Sequence, residues 1–160
     1  MILSSEKCKE LIDSAEEKNS WQVRKFGSSV SYQTTSCKID TELDLILREY
    51  CAQELKINII KTSLNILKYE VGDLFGRHKD QDKNIPGQTW LFNINVRLND
   101  DYEGGEFFLN DSPYHQPVGK FYHYKSSEYH EVKKITKGVR YSGLFYIEFD
   151  NVKDKKRTIL

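Results

Sequence analysis

Tyr69-Glu70-Val71-Gly72-Asp73-Leu74-Phe75-Gly76-Arg77-His78-Lys79-Asp80 is the stretch on which the reading of this chain turns. It closes on His-x-Asp. Far along the chain come a further imidazole in His130-Glu131-Val132 and then Gly138-Val139-Arg140-Tyr141-Ser142. In an extended segment residues two apart point the same way, so His78 and Asp80 can grip one ion while Lys79 faces outward. Two imidazoles and one carboxylate on one side of a metal leave coordination positions open, the arrangement of non-haem Fe(II) sites that activate dioxygen. Arg140 and Ser142 share a face if their segment is a strand, and a guanidinium pairs with a carboxylate through two parallel hydrogen bonds. Polar loops produce His-x-Asp by chance; the pair gains meaning from His130 and Arg140.

Working outward, the hydrophobic period changes from helical to two near residue 60. Before it, Cys8, Leu11, Ile12 and Ala15 recur at helical spacing over about 4–19, with Ser4 or Ser5 available as N-cap. Leu43, Ile46, Leu47, Tyr50, Cys51 and Leu55 predict a second helix, capped by Thr41. Between them Gly27 to Ser36 reads as a short strand and loop. After it, strands are expected over 64–71, 90–98, 118–124, 129–135 and 139–149, with 106–109 pairing back across the turn cluster 99–105 and Gly138 marking the last turn. Lys153-Asp154-Lys155-Lys156-Arg157 reads as a frayed basic tail.

A chain of 160 residues with 38% hydrophobic content suits one domain, with helical support over 1–60, a strand-built core over 61–150 and the tail over 151–160. Ten Tyr, eight Phe and two Trp favour strands. The 24 basic and 24 acidic residues balance, so no whole-molecule field points to nucleic acid or to an anionic membrane. Cys8, Cys37 and Cys51 form no C-x-x-C, and the odd number argues against a disulfide framework. With no apolar leader or spanning run, the expected setting is soluble and cytoplasmic.

The pattern Tyr-x-x-Gly-x-x-Phe-x-x-His-x-Asp over 69–80, Gly104-Gly105-Glu106 after Leu98-Asn99, and His130 leading to Arg140-x-Ser142 together resemble the iron(II)- and 2-oxoglutarate-dependent dioxygenases, specifically the prolyl 4-hydroxylase-like branch. The resemblance runs from about Leu64 to Ile147. It implies a mainly β (α+β) fold, a double-stranded β-helix or jelly roll with supporting N-terminal α-helices. It implies His78, Asp80 and His130 as iron ligands, with Arg140 completing the catalytic set. Tyr69, Arg140 and Ser142 fall where relatives hold 2-oxoglutarate. The implied chemistry is hydroxylation of an unactivated C–H bond, a peptidyl proline first, using dioxygen while 2-oxoglutarate is decarboxylated to succinate and CO2. Ascorbate is an accessory reductant that the branch allows.

Other outcomes stay open. The same core could hydroxylate a free amino acid or another small molecule, serve as a non-catalytic jelly-roll binding module, or hold another metal without 2-oxoglutarate. Partners are expected to be a peptide or small-molecule substrate, with neither nucleic acid nor membrane. The chain departs from the branch at Arg97-Leu98-Asn99, where relatives commonly read Tyr-Leu-Asn; Arg97 is expected to face solvent. The short segment 81–89 limits any lid there. His115 and His123 read as structural imidazoles.

Overall fold

The computed structural model describes residues 2–80, 92–151, 157 and 158, so the segment 81–89, Trp90, Leu91 and tail residues Lys153 to Lys156 lie outside the described residues. Helix α1 (Ser5–Lys18) starts where the Ser4 side chain accepts from the Lys7 amide at 3.1 Å and stops where Asn19 turns left-handed. A hairpin of β1 (Gln22–Phe26) and β2 (Val30–Cys37) follows, then α2 (Thr41–Tyr50), continued by a π-helical turn over Cys51–Leu55. The cap of α2 is Asp40 and not Thr41. The Asp40 carboxylate reaches the Leu43 amide at 2.9 Å, complements the helix dipole and also pairs with the Lys7 ammonium of α1.

The remaining elements are strands: β3 (Ile57–Tyr69), β4 (Leu74–His78), β5 (Phe92–Arg97), β6 (Glu103–Gly104), β7 (Phe107–Leu109), β8 (Ser112–Pro113), β9 (Phe121–Lys125), β10 (His130–Val132), β11 (Ile135–Lys137), β12 (Arg140–Asn151) and β13 (Arg157–Thr158). They form one curled antiparallel sheet in the order β8-β7-β10-β4-β2-β3-β12-β5-β9, with β1 added to β2 and β13 to β12, beside a small β6–β11 ladder. The mainly β, jelly-roll expectation therefore holds. Two local expectations do not. Residues 107–109 pair with β10 and β8 instead of folding back on β5, because the left-handed Gly104 and Gly105 turn the chain toward β11. Arg157 is not frayed, since β13 pairs with Phe149 and Asp150.

Period-two alternation sorts each long strand onto two faces. Leu64 and Ile66 of β3, Ile94 and Val96 of β5, Phe121 of β9 and Phe145, Ile147 and Phe149 of β12 are buried with α1 and α2 residues Cys8, Leu11, Leu43 and Leu47. On the other face, Tyr69 of β3 and Tyr122 and Tyr124 of β9 pack with Phe107, Val132 and Ile135. The helices close one side of the sheet, and the curl of the strands encloses the other. No helix among the described residues is long and apolar enough to cross a membrane.

Candidate active site

The quoted stretch folds as its spacing suggests. β3 ends at Tyr69, and the chain turns through Gly72 (φ +94), whose amide donates to the Ile135 carbonyl at 2.9 Å. It then runs through β4 to His78. His78 lies directly across from His130 of β10 in the antiparallel register, their ring centroids 4.1 Å apart. Asp80 follows the end of β4 and is tied down by its own amide, which donates to the Ser126 carbonyl at 3.1 Å.

The three side chains converge: one ligand atom from each of His78, Asp80 and His130 lies within 4.8 Å of the others. Asp80 Oδ1 is 3.1 Å from His78 Nε2 and Oδ2 is 3.5 Å from His130 Nε2. Each imidazole is oriented from behind. His78 Nδ1 is 2.7 Å from the Gly76 carbonyl and His130 Nδ1 is 3.1 Å from that of Glu128, so the Nδ1–H donates and Nε2 is the ring nitrogen turned toward Asp80. Phe75 stacks on His78 at 3.8 Å, and Tyr124 lies 4.6 Å from His130, ring to ring. Burial raises the Asp80 carboxyl pKa, but hydrogen bonding and charge from the two histidines outweigh it and hold the group well below the usual carboxylate range. Asn93 of β5 donates from Nδ2 to Asp80 Oδ2 at 2.7 Å.

The donor set fits a divalent ion. His78 Nε2 is buried and has no partner other than the Asp80 carboxylate that it faces at 3.1 Å. Two imidazole nitrogens and a carboxylate oxygen supply three neighbouring ligands of intermediate softness, suited to Fe(II) with positions left open.

These residues line a cavity of about 260 Å³ that is also lined by Leu67, Tyr69, Asn95, Tyr122, Arg140 and Ser142. Arg140 opens β12, paired with Tyr69, and is 2% exposed. Its Nη1 donates to Ser142 Oγ at 3.1 Å, its Nε has no partner, and no carboxylate pairs with it among the described residues. Burial disfavours its charge, but Tyr122, Tyr102 and Tyr69 around it raise its pKa, so the guanidinium stays charged. The Tyr69 ring lies 5.4 Å from that guanidinium and stacks on Tyr32. Both glycines are left-handed; a side chain at Gly104 would strike the Lys134 carbonyl and one at Gly105 would crowd Ile135 and the Arg140 stem, which explains the Gly-Gly pair.

All the sequence-derived site residues, Tyr69, His78, Asp80, His130, Arg140 and Ser142, therefore line one cavity. Arg97 does not share it and is half-buried. Its Nε donates to the Asn99 carbonyl at 2.9 Å, its Nη1 to that of Gln116 at 3.1 Å, and its guanidinium lies 5.1 Å from the Tyr102 ring in a neighbouring cavity. His123 is structural, its Nδ1 2.8 Å from the Tyr50 hydroxyl, and His115 is exposed beside the Arg97 cavity. Motifs alone do not nominate Asn93 and Asn95. Their signal is two amides alternating with Ile94 and Val96 in a strand that is otherwise apolar.

No family model matches the chain. Curated relatives do. A PKHD-type hydroxylase of Delftia acidovorans is 30% identical over 122 residues, covering 69% of this chain and 53% of the relative. Another from Janthinobacterium sp. (strain Marseille) is 32% identical over 104 residues, 58% of this chain and 46% of the relative. The chain thus spans about half the length of the curated relatives it matches. Among solved structures, a viral collagen prolyl hydroxylase from Paramecium bursaria Chlorella virus-1 superposes with a TM-score of 0.70 at 18% identity, covering 91% of each chain. A Pseudomonas putida prolyl-4-hydroxylase gives 0.70 at 15%, covering 91% of this chain and 88% of that one. By its relatives the chain is similar to the PKHD-type hydroxylases, and its fold is that of prolyl hydroxylases of the 2-oxoglutarate- and iron(II)-dependent oxygenases.

Proposed function

We propose that this chain is a single-domain iron(II)- and 2-oxoglutarate-dependent dioxygenase that hydroxylates an unactivated C–H bond. The observation that carries the reading is the convergence of His78, Asp80 and His130 in one cavity that is also lined by Arg140, a buried cation with no carboxylate partner among the described residues. His78, Asp80 and His130 would hold the iron. Bound there, iron(II) would supply the oxidising chemistry that couples decarboxylation of the 2-oxo acid to insertion of one oxygen atom into the substrate.

The protein's own residues account for the rest. Arg140 and Ser142 offer hydrogen-bond donors to the distal carboxylate of 2-oxoglutarate, with Tyr69 beneath the guanidinium. Burial keeps the Tyr69 and Tyr124 phenols protonated and pushes the Tyr122 phenol up to about 12, so the tyrosines line the cavity as neutral hydrogen-bonding walls. Phe75, Phe107 and these tyrosines exclude water around the ligand end.

A peptidyl proline is the first substrate to test, since the two solved structures of matching fold are named prolyl hydroxylases. Fe(II) with 2-oxoglutarate under anaerobic conditions should give a weak visible charge-transfer band, and air should yield succinate. Absence of both would remove the enzyme reading. Mass spectrometry of proline peptides, free amino acids and small metabolites for gain of one oxygen atom, dependent on 2-oxoglutarate, assigns the substrate.

A further inference from the structure

β5 sends three polar side chains, Asn93, Asn95 and Arg97, to the face opposite Ile94 and Val96. A strand interior with both faces covered normally carries apolar residues at such positions. Asn93 is 4% exposed, and its side-chain amide donates to Asp80 Oδ2 at 2.7 Å. Asn95, two residues on and equally buried, has an Nδ2 with no hydrogen-bond partner. Asn93 has its partner in Asp80.

We infer that Asn93 is a positioning residue for the metal site, fixing how Asp80 presents its carboxylate. The inference rests on the site reading above. Asp80 has two oxygens and the two histidines face both, at 3.1 and 3.5 Å. Left alone, a carboxylate in that position can chelate an ion through both oxygens and use up a coordination position. The Asn93 N–H binds Oδ2 and so biases the carboxylate toward presenting Oδ1 to the ion. One-oxygen ligation leaves the positions that a 2-oxo acid and dioxygen need. Outer partners that orient ligands in this way are worth roughly 10–100-fold in metal affinity.

Three measurements separate this role from a merely structural one. Cobalt(II) serves as a spectroscopic probe of the apo protein, with His130→Ala as the variant that loses the site. Asn93→Leu keeps the volume and removes the donor; Asn93→Asp keeps the shape and sets a second carboxylate against Asp80. The expected result is weaker Co(II) binding by roughly 10–100-fold for Asn93→Leu, with a larger loss for Asn93→Asp. The visible Co(II) spectrum of Asn93→Leu should differ from wild type, at an unchanged melting temperature. Wild-type Co(II) affinity and spectrum in a folded Asn93→Leu protein would overturn the inference while leaving the site intact. No Co(II) uptake by wild type would overturn the site and this inference with it. Should both variants fail to fold, the wild-type protein still decides. Titrated with zinc(II) in 15N NMR, the Asn93 side-chain amide should exchange slowly with solvent and stay hydrogen-bonded; free exchange would reject the role.

Discussion

The two faces of the same sheet follow opposite rules. Toward α1 and α2, the strands bury aliphatic and phenylalanine side chains such as Leu64, Ile66, Ile94, Val96 and Phe145, with nothing to coordinate and little to protonate. Toward the enclosed side, the neighbouring residues of those strands are Tyr69, Asn93, Asn95, Arg140 and Ser142, joined by Tyr122, Tyr124 and His130. Of five buried side-chain nitrogens without hydrogen-bond partners among the described residues, three, His78 Nε2 beside Asp80, Asn95 Nδ2 and Arg140 Nε, line the cavity on this second side. Unpaired buried polar groups are costly, so a fold keeps them where a ligand compensates. The comparison divides the labour: one face supplies stability, the other spends it on a site.

Breaking the site face should be felt first in chemistry. His130→Ala removes one of the three converging side chains and is expected to reduce succinate formation to background while the protein melts no lower than wild type. Retained turnover would exclude His130 as a ligand. Arg140→Ala should come next. Losing charge-assisted hydrogen bonds of about 1.5–3 kcal/mol to a carboxylate predicts a rise in the 2-oxoglutarate KM of roughly 10–100-fold or more. Arg140→Lys, which retains a charge without the planar fork, should fall between. An unchanged KM in Arg140→Ala would assign the anchor elsewhere.

Breaking the other face should do the reverse. Ile66 is fully buried between the sheet and the helices, and Ile66→Ala is expected to cost about 2–5 kcal/mol of stability. Denaturant melts should show that loss, while Co(II) affinity below the transition stays as in wild type. A variant that loses both together would show that the two faces are one cooperative unit with the site.

How much of this was legible in the sequence follows from which signals are local. The alternation of Leu64 and Ile66 with Leu67 and Tyr69 is a property of adjacent residues, as is the shared face of His78 and Asp80, and both appear in the structure. Placing His130 opposite His78 needs a long-range register that neither segment encodes alone; motif spacing stood in for it. What spacing could not supply was partner choice. Arg97, half-buried, finds the carbonyls of Asn99 and Gln116 and the Tyr102 ring, and only the Gln116 partner depends on how a more distant loop returns. Thr41 and Asp40 are both competent caps, and only the position of Lys7 on α1 adds a reason for the aspartate. Residues 107–109 choose β10 over β5 for a like reason, since two left-handed glycines redirect the chain.

The smallest predicted effect sharpens the same comparison with a titration on the helix-backed face. Burial in that core pushes the Cys51 thiol up to about 12 from an ordinary 9.0, and it raises Cys8 and Cys37 less strongly. In the unfolded chain Cys51 ionises near its ordinary value; in the folded protein it stays protonated until about 12. Its contribution to stability is therefore whole below pH 9 and is lost as pH rises from there toward 12, at up to about 1.4 kcal/mol per pH unit. Cys51→Ala should flatten the alkaline limb of a stability-against-pH curve by that amount, apart from a pH-independent packing loss. Below pH 9 iodoacetamide should label half-buried Cys37 before Cys8 or Cys51, read by mass spectrometry of the folded protein. Early labelling of Cys51, or an alkaline limb unchanged by its removal, would show that the helix-backed face admits water as readily as the site face does.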